Sequence, residues 1–196
     1  IARLDFCFDA ERMRTAMQNA GLQWAELQSP PILLLPVWKD PDGASAWLKN
    51  NRWITGWQDA VDHYQGLVSL RRLPHSLTHE RRFRGADLLA GNPIKLAAAG
   101  NIAEAEQVLV VAATLDYEGS KRVVEVEVRL FDKTGQPIAT ILSQSNIMLS
   151  KTDSKPLDSI RQTILGQIEG SWHSANLINS STAGYLLVDV PVTSVK

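Results

Sequence analysis

The stretch PPILLLPVWKDPDG, residues 30–43, constrains the fold more than any other part of the sequence. From Ile32 to Trp38 it has no polar side chain. A strand that is apolar on both faces needs cover on both, which predicts a central strand with helices on either side of its sheet. The residues that follow, from Lys39 to Gly43, are rich in turn formers, so we expect the strand to reach the surface there.

Residues 107–150 predict a three-stranded antiparallel meander. Its middle segment, RVVEVEVRLFD (122–132), alternates between apolar side chains on one side and Glu125, Glu127 and Arg129 on the other. Such alternation is typical of an antiparallel strand with one exposed face. The segment before it is apolar on both faces, and DKTGQ after it predicts a hairpin turn into the third strand.

The other segments predict helices and short strands. The predicted helices cover residues 9–21, 53–64, 76–90, 92–100 and 154–177, and the predicted short strands cover residues 2–8, 46–48, 67–73 and 185–196. Asn92 and Pro93 are expected to be the cap and the first residue of their helix. The last helix is amphipathic, with one apolar stripe along its length.

Together these elements predict an α/β fold with α+β character in its C-terminal half. We expect a mixed sheet of five to six strands with helices on both faces. Residues 1–178 are predicted to form a single domain. Residues 179–196 are predicted to form a polar linker and a strand, which is either an added edge strand or the start of a further domain that the sequence cuts short.

Composition excludes several classes of protein. The net charge is −1, from 20 basic and 21 acidic residues, so no overall field attracts nucleic acid. Cys7 is the only cysteine, which excludes an intramolecular disulfide and a cysteine metal centre; we expect a small buried side chain there. No apolar run approaches the ~18 residues that a membrane-spanning helix needs. The first residue, Ile1, is compatible with the removal of a signal peptide.

Tryptophan is concentrated in one region. Four of the six tryptophans, Trp38, Trp47, Trp53 and Trp57, fall within twenty residues. Exposed rings would stack on sugars or peptides, whereas buried rings would pack in the core. The i, i+4 spacing of Trp53 and Trp57 favours packing. A binding platform formed by Trp47, Trp53 and Trp57 remains the alternative.

Basic residues are concentrated in LRRLPHSLTHERRFRG, residues 70–85. Its arginines are Arg71, Arg72, Arg81, Arg82 and Arg84. Guanidinium groups bind carboxylates and phosphates through paired hydrogen bonds, so this stretch is a candidate surface for an anionic partner. No aromatic residues alternate with the arginines as they would on a nucleic-acid surface. The alternative is a solvated helix face.

Catalytic patterns are weak. Neither a G-x-S-x-G motif nor a phosphate-binding glycine loop occurs. His75 and His79 have the spacing of zinc ligands, but Pro74 and Ser76 place His75 outside the predicted helix, so we expect no metal and no cofactor. Asp40 and Asp42, at the end of the first apolar strand, are the best candidates for acid–base chemistry, although a turn needs such residues anyway.

Four features occur in order along residues 2–195. They are RLDFCFDAERMRTAMQNAGL, then PPILLLPVWKDPDGASAWLKNNRWITGW, then the meander and a helix containing GQIEGSW, and finally YLLVDVPVTSV. In this order they resemble the exported Gram-negative proteins grouped as domain of unknown function 2066. In that family P-x-L-L-x-P-V-W is followed by N-x-W-x-x-x-W, matched here by Asn51, Trp53 and Trp57.

The resemblance implies a periplasmic or envelope-associated bacterial protein with no assigned activity and no catalytic residues. The plan is also similar to the N-terminal domain of TolB and to lipoprotein activators of penicillin-binding proteins, which are small α/β binding modules. Such a likeness concerns the fold and says little about function.

The function predicted from the sequence is a non-enzymatic binding module of the cell envelope. Its partner would be an envelope protein or a cell-wall component, bound through the tryptophans and arginines of residues 38–84. Two alternatives remain: a glycan- or small-molecule-binding domain that uses Trp47, Trp53 and Trp57, and a hydrolase that uses Asp40 or Asp42.

Overall fold

The computed structural model describes residues 29–66, 68–149 and 155–177, without the side chains of residues 144–146 and 171–177. The predictions for residues 1–28, including Cys7 and the first strand and helix, lie outside them. So do those for residues 178–196, so the domain boundary at residue 178 stays a prediction. Residues 28–172 form one compact unit of the chain.

The described elements follow one another in the order β1, β2, α1, β3, α2, α3, α4, β4, β5, β6 and α5. The strands are β1 (Ile32–Asp40), β2 (Gly43–Ser45), β3 (Leu70–Arg71), β4 (Gln107–Glu118), β5 (Lys121–Asp132) and β6 (Pro137–Leu149). The helices are α1 (Arg52–Asp62), α2 (Leu77–Arg82), α3 (Gly85–Leu89), α4 (Pro93–Ile102) and α5 (Lys155–Leu177).

Strand β1 has the central position that its sequence predicts. Across the described residues the sheet has six strands in the order β2-β1-β4-β5-β6, with β3 also paired to β1. β1 runs parallel to β4 and β3 and antiparallel to β2. The backbone nitrogen of Ile32 donates to Ser69 O (2.8 Å), so Ile32, Leu34 and Pro36 face the edge away from β4. On that edge β3 pairs with the start of β1 and β2 with its end, which leaves the middle of β1 unpaired. Pro36 lies in this unpaired middle, so its missing N–H breaks no hydrogen bond of the sheet.

The meander is also confirmed. β4, β5 and β6 pair antiparallel in sequence order. In the turn between β5 and β6, Asp132 Oδ1 accepts the backbone N–H groups of Thr134 (2.8 Å) and Gln136 (2.9 Å), and Gly135 has a φ of 80°. A left-handed residue suits glycine, which explains its place in the predicted DKTGQ turn.

Helices cover both faces of this mixed α/β sheet, as predicted. On the first face, α1 and α5 pack on β1, β4 and β5, with buried side chains that include Trp53, Trp57 and Ile164. On the second face, α3 and α4 cover β1 and β4 through Leu88, Leu96 and other buried residues. In the cap of α4, the Asn92 side chain accepts the Lys95 N–H at 3.3 Å, as its sequence predicts.

Three local predictions need correction. The strand expected at residues 46–48 lies instead at Gly43–Ser45, where the chain folds back on β1. The strand expected at residues 67–73 is reduced to Leu70–Arg71. The helix expected at residues 76–90 is two short helices, because Phe83 leaves helical geometry (φ −116°, ψ 74°) and is fully buried.

Candidate partner-binding surface

The α2–α3 segment is held against the second face of the sheet by its own core residues. Phe83, between the two helices, and Leu88 in α3 are fully buried. Gly85 lies so close to β2 that a Cβ atom there would be 2.4 Å from the carbonyl carbon and oxygen of Ala44. At the start of α2, the Ser76 hydroxyl accepts the His79 N–H at 3.1 Å. The backbone of this segment is therefore set by the fold.

Arg81, Arg82 and Arg84 project from this segment and are exposed. None of the three forms an ion pair with a carboxylate in the part of the chain that the structure describes. The guanidinium carbon of Arg82 lies 5.4 Å from the centroid of the Phe83 ring, a cation–π distance. We call Arg81, Arg82 and Arg84 the arginine surface.

Arg71 and Arg72, predicted with them, are used inside the chain instead. Arg71 Nη1 donates to the carbonyl oxygens of Ala103 (2.7 Å) and Glu104 (2.9 Å), just beyond the end of α4. Arg72 binds both carboxylate oxygens of Asp62, at 2.5 and 2.9 Å. Both arginines thus have hydrogen-bond partners within the described part of the chain, unlike those of the arginine surface.

The Arg72–Asp62 pair changes the acidity of both groups. The hydrogen bond from Arg72 lowers the pKa of Asp62 below its ordinary value. The same hydrogen bond raises the pKa of Arg72. Both changes favour the charged forms, as expected for a bidentate pair.

Trp47 lies beneath α2 and not on the surface. It is only 7% exposed, and its Nε1 donates to the carbonyl oxygen of Phe83 at 2.8 Å. Its ring lies 6.0 Å from that of His75 and 6.2 Å from that of His79, measured between centroids. Trp47 thus supports the segment that carries the arginine surface.

Trp53 and Trp57 lie on the other face of the sheet, and both are fully buried in the first core. Their rings meet edge to face at a centroid distance of 5.7 Å, and Trp53 Nε1 donates to Val111 O at 3.1 Å. The interpretation of Trp47, Trp53 and Trp57 as a stacking platform is therefore corrected, because stacking requires an exposed ring face. Packing, which their spacing favours, is what the structure shows.

Asp40, one of the two carboxylates of the hydrolase alternative, serves the turn after β1. Asp40 accepts the Trp38 Nε1–H (3.2 Å) through one oxygen and the Asp42 N–H (3.0 Å) through the other.

His75 Nε2 lies 3.9 Å from a carboxylate oxygen of Glu80, and His79 Nδ1 lies 2.8 Å from Pro74 O. The described residues contain no cluster of three His, Cys, Asp or Glu side chains placed to hold a metal ion.

Among the described helices, none is long and apolar enough to cross a membrane. No family model matches the chain. No curated protein matches it either.

Several solved structures resemble the fold. Lipoprotein GNA1162 from Neisseria meningitidis is 20% identical, with a TM-score of 0.41, over 78% of this chain and 99% of that one. A PelC dodecamer from Paraburkholderia phytofirmans is 12% identical, with a TM-score of 0.41, over 72% of this chain and 89% of that one. The LpoB C-terminal domain from Salmonella enterica is 14% identical, with a TM-score of 0.36, over 67% of this chain and 89% of that one. At these values the likeness goes no further than the general fold.

Proposed function

We propose that this protein is a non-enzymatic binding module of the bacterial cell envelope, whose arginine surface contacts an acidic partner. The partner would be an envelope protein or an anionic component of the cell wall. The resemblance to domain of unknown function 2066 gives the proposed compartment, which is the periplasm. The chemistry of the surface comes from the residues themselves.

One observation carries the proposal. Arg81, Arg82 and Arg84 are exposed on a backbone held by Phe83, Gly85 and Trp47. Because the backbone is already ordered, binding would cost only the freedom of the arginine side chains. Guanidinium groups that are not paired within the described chain can give bidentate hydrogen bonds to carboxylates or phosphates.

The charge-reversed variant Arg81→Glu, Arg82→Glu tests the proposal, with Lys121→Glu, Lys133→Glu as the control. The control changes the same amount of charge at the two turns of the meander. Crosslinking of the tagged full-length protein in its native cells, followed by mass spectrometry, measures the partner. We expect capture of a recurrent envelope protein or wall fragment to fall by about tenfold or more in the arginine variant and to persist in the control.

Two results would contradict the proposal. One is equal capture by both variants, which would place the contact elsewhere. The other is turnover of a substrate by the purified protein that Asp40→Asn abolishes, which would restore the hydrolase alternative.

A further inference from the structure

A groove runs between the end of α1 and the middle of α5, on the sheet face opposite the arginine surface. Its volume is about 380 Å³, which lies in the lower part of the range of small-molecule sites. Its walls are His63, Tyr64, Gln65, Gln162, Gly166 and Glu169. Ala60 and Leu165 add apolar surface. We call it the α1–α5 groove.

A preformed carboxylate lies in this groove. The Tyr64 hydroxyl donates to Glu169 Oε1 at 2.6 Å. Burial, with the hydrogen bond to Glu169, raises the pKa of Tyr64, so the phenol keeps its proton at neutral pH. Glu169 Oε2 receives no hydrogen bond from the residues that the structure describes. The carboxylate is therefore oriented through one oxygen and open through the other.

Gly66 makes this arrangement possible. A Cβ atom at Gly66 would lie 2.0 Å from Glu169 Oε1 and 2.3 Å from the Tyr64 hydroxyl oxygen. The backbone thus passes directly beside the hydrogen-bonded pair, where a side chain would separate it. The loop after α1 therefore approaches the Glu169 carboxylate most closely at Gly66, the residue without a side chain.

His63 and the end of α1 place further hydrogen-bond acceptors beside this carboxylate. His63 Nδ1 lies 2.8 Å from the carbonyl oxygen of Asp59, which can only accept, so Nδ1 carries a proton. In the neutral ring Nε2 then presents a lone pair. The last turn of α1 has no basic residue to offset the negative end of the helix dipole. No lysine or arginine lines the groove. The Arg161 guanidinium, between the same two helices, lies against Gly56 and is paired with Asp158.

We propose that the α1–α5 groove binds an organic cation, an alkylammonium or guanidinium group, with its charged head on Glu169. The methylene stem would lie on Ala60 and Leu165, as lysine and arginine stems lie on apolar surfaces elsewhere. The cation can belong to a lysine or arginine side chain of a protein or to a free amine. This site does not depend on the arginine surface, so the two proposals stand or fall separately.

Titration of the whole chain, followed by amide NMR shifts, tests the site with defined probes. The probes are Nα-acetyl-lysine methylamide, Nα-acetyl-arginine methylamide, butylammonium, and neutral Nα-acetyl-norleucine methylamide. We expect the three cations, and not the norleucine probe, to shift amides of residues 60–66 and 162–169. If the acetylated lysine or arginine probe binds more tightly than butylammonium, the natural ligand is a protein side chain. If butylammonium binds more tightly, the natural ligand is a free amine.

Glu169→Gln removes the charge, and we expect cation binding to weaken about tenfold or more. Glu118→Gln, at the exposed turn of the meander, is the control and should bind as the wild type does. If Glu169→Gln does not fold, Gln162→Lys keeps Glu169 and places an ammonium in the groove, which should block the probes. Equal shifts with the norleucine probe, or unchanged affinity in Glu169→Gln or Gln162→Lys, would overturn the proposal.

Discussion

The two faces of the sheet are covered by different means. On the first face, two helices of 11 and 23 residues pack large side chains, such as Trp53 and Trp57, against four strands of the sheet. On the second, helices of 6, 5 and 10 residues bring their backbone close to the sheet. There Gly85 touches β2, and a Cβ atom added at Gly135 would lie 2.2 Å from Pro93 O.

The two faces therefore contribute differently: the first mainly stabilises the fold, and the second mainly fixes the position of the segment that carries the arginine surface. Large rings between helix and sheet bury much apolar area, and they tolerate some adjustment of the helix above them. Close backbone contacts bury less area but fix the position of the segment, because there is no side chain to rearrange. The arginine surface lies on the face built in the second way, where position matters for recognition.

The largest expected effect is on the first face. Trp53→Ala should lower the free energy of unfolding by about 3–5 kcal/mol, because it leaves a cavity and removes the indole hydrogen bond to Val111 O. Urea denaturation measures it, and Trp53→Phe should lose less. A loss below about 1 kcal/mol would mean that the first face does not carry the stability assigned to it.

Next in size is a backbone clash on the second face. Gly85→Ala should cost about 1–3 kcal/mol, since its Cβ would meet backbone atoms of Ala44 and Ser45 that cannot rotate away. Gly170→Ala in α5 is the control: a Cβ there has nothing within 4 Å, so we expect a gain of up to about 1 kcal/mol. Similar thermal midpoints for the two variants would refute the close approach of α3 and β2.

A smaller effect is expected at the support of the arginine surface. Trp47→Phe should cost about 1–2 kcal/mol, because it leaves the buried Phe83 carbonyl without its donor. Trp38→Phe is the matched change, and it should cost less, since water can replace the indole at half-buried Asp40. The order of the two losses in urea denaturation decides whether Trp47 holds the segment.

The smallest effect is a pH dependence outside both cores. The pKa of Asp62 is lowered in the folded chain, so its pairing with Arg72 stabilises the fold above the ordinary aspartate pKa of 3.8. That contribution is lost as the pH falls through the lowered folded value. Since both groups are well exposed, Arg72→Gln should cost no more than about 0.5 kcal/mol at pH 7.

Thermal unfolding of the wild type and Arg72→Gln between pH 2 and pH 7 measures this difference. We expect the two melting temperatures to converge in acid, where Asp62 is protonated and the pair is gone. A difference that grows as the pH falls would have the wrong sign for a carboxylate with a lowered pKa.

Regular patterns made much of the fold predictable. The uninterrupted apolar run of β1 indicated a strand with two covered faces, and the alternation in β5 indicated one exposed face. The Asn92–Pro93 start of α4 was predictable because a cap and a fixed φ are local properties. The break between α2 and α3 was not, since Phe83 leaves the helix to enter a core formed by distant residues.

The candidate site shows the same division. Five arginines within fourteen residues marked the region, but their separate uses depend on partners far along the chain. Arg72 pairs with Asp62, 10 residues earlier, and Arg71 binds carbonyls 32 and 33 residues later. The groove carboxylate is even less visible in the sequence, because Tyr64 and Glu169 are 105 residues apart.

The sequence by itself determined the main strands, the meander, most of the helices and the composition of the basic stretch, because periodicity and caps act over a few residues. Tertiary structure decided which polar groups were left open. It buried Trp47, Trp53 and Trp57, bound Arg71 and Arg72 within the chain, and left Arg81, Arg82 and Arg84 exposed. Burial and pairing depend on which distant segments meet, and no local pattern contains that information.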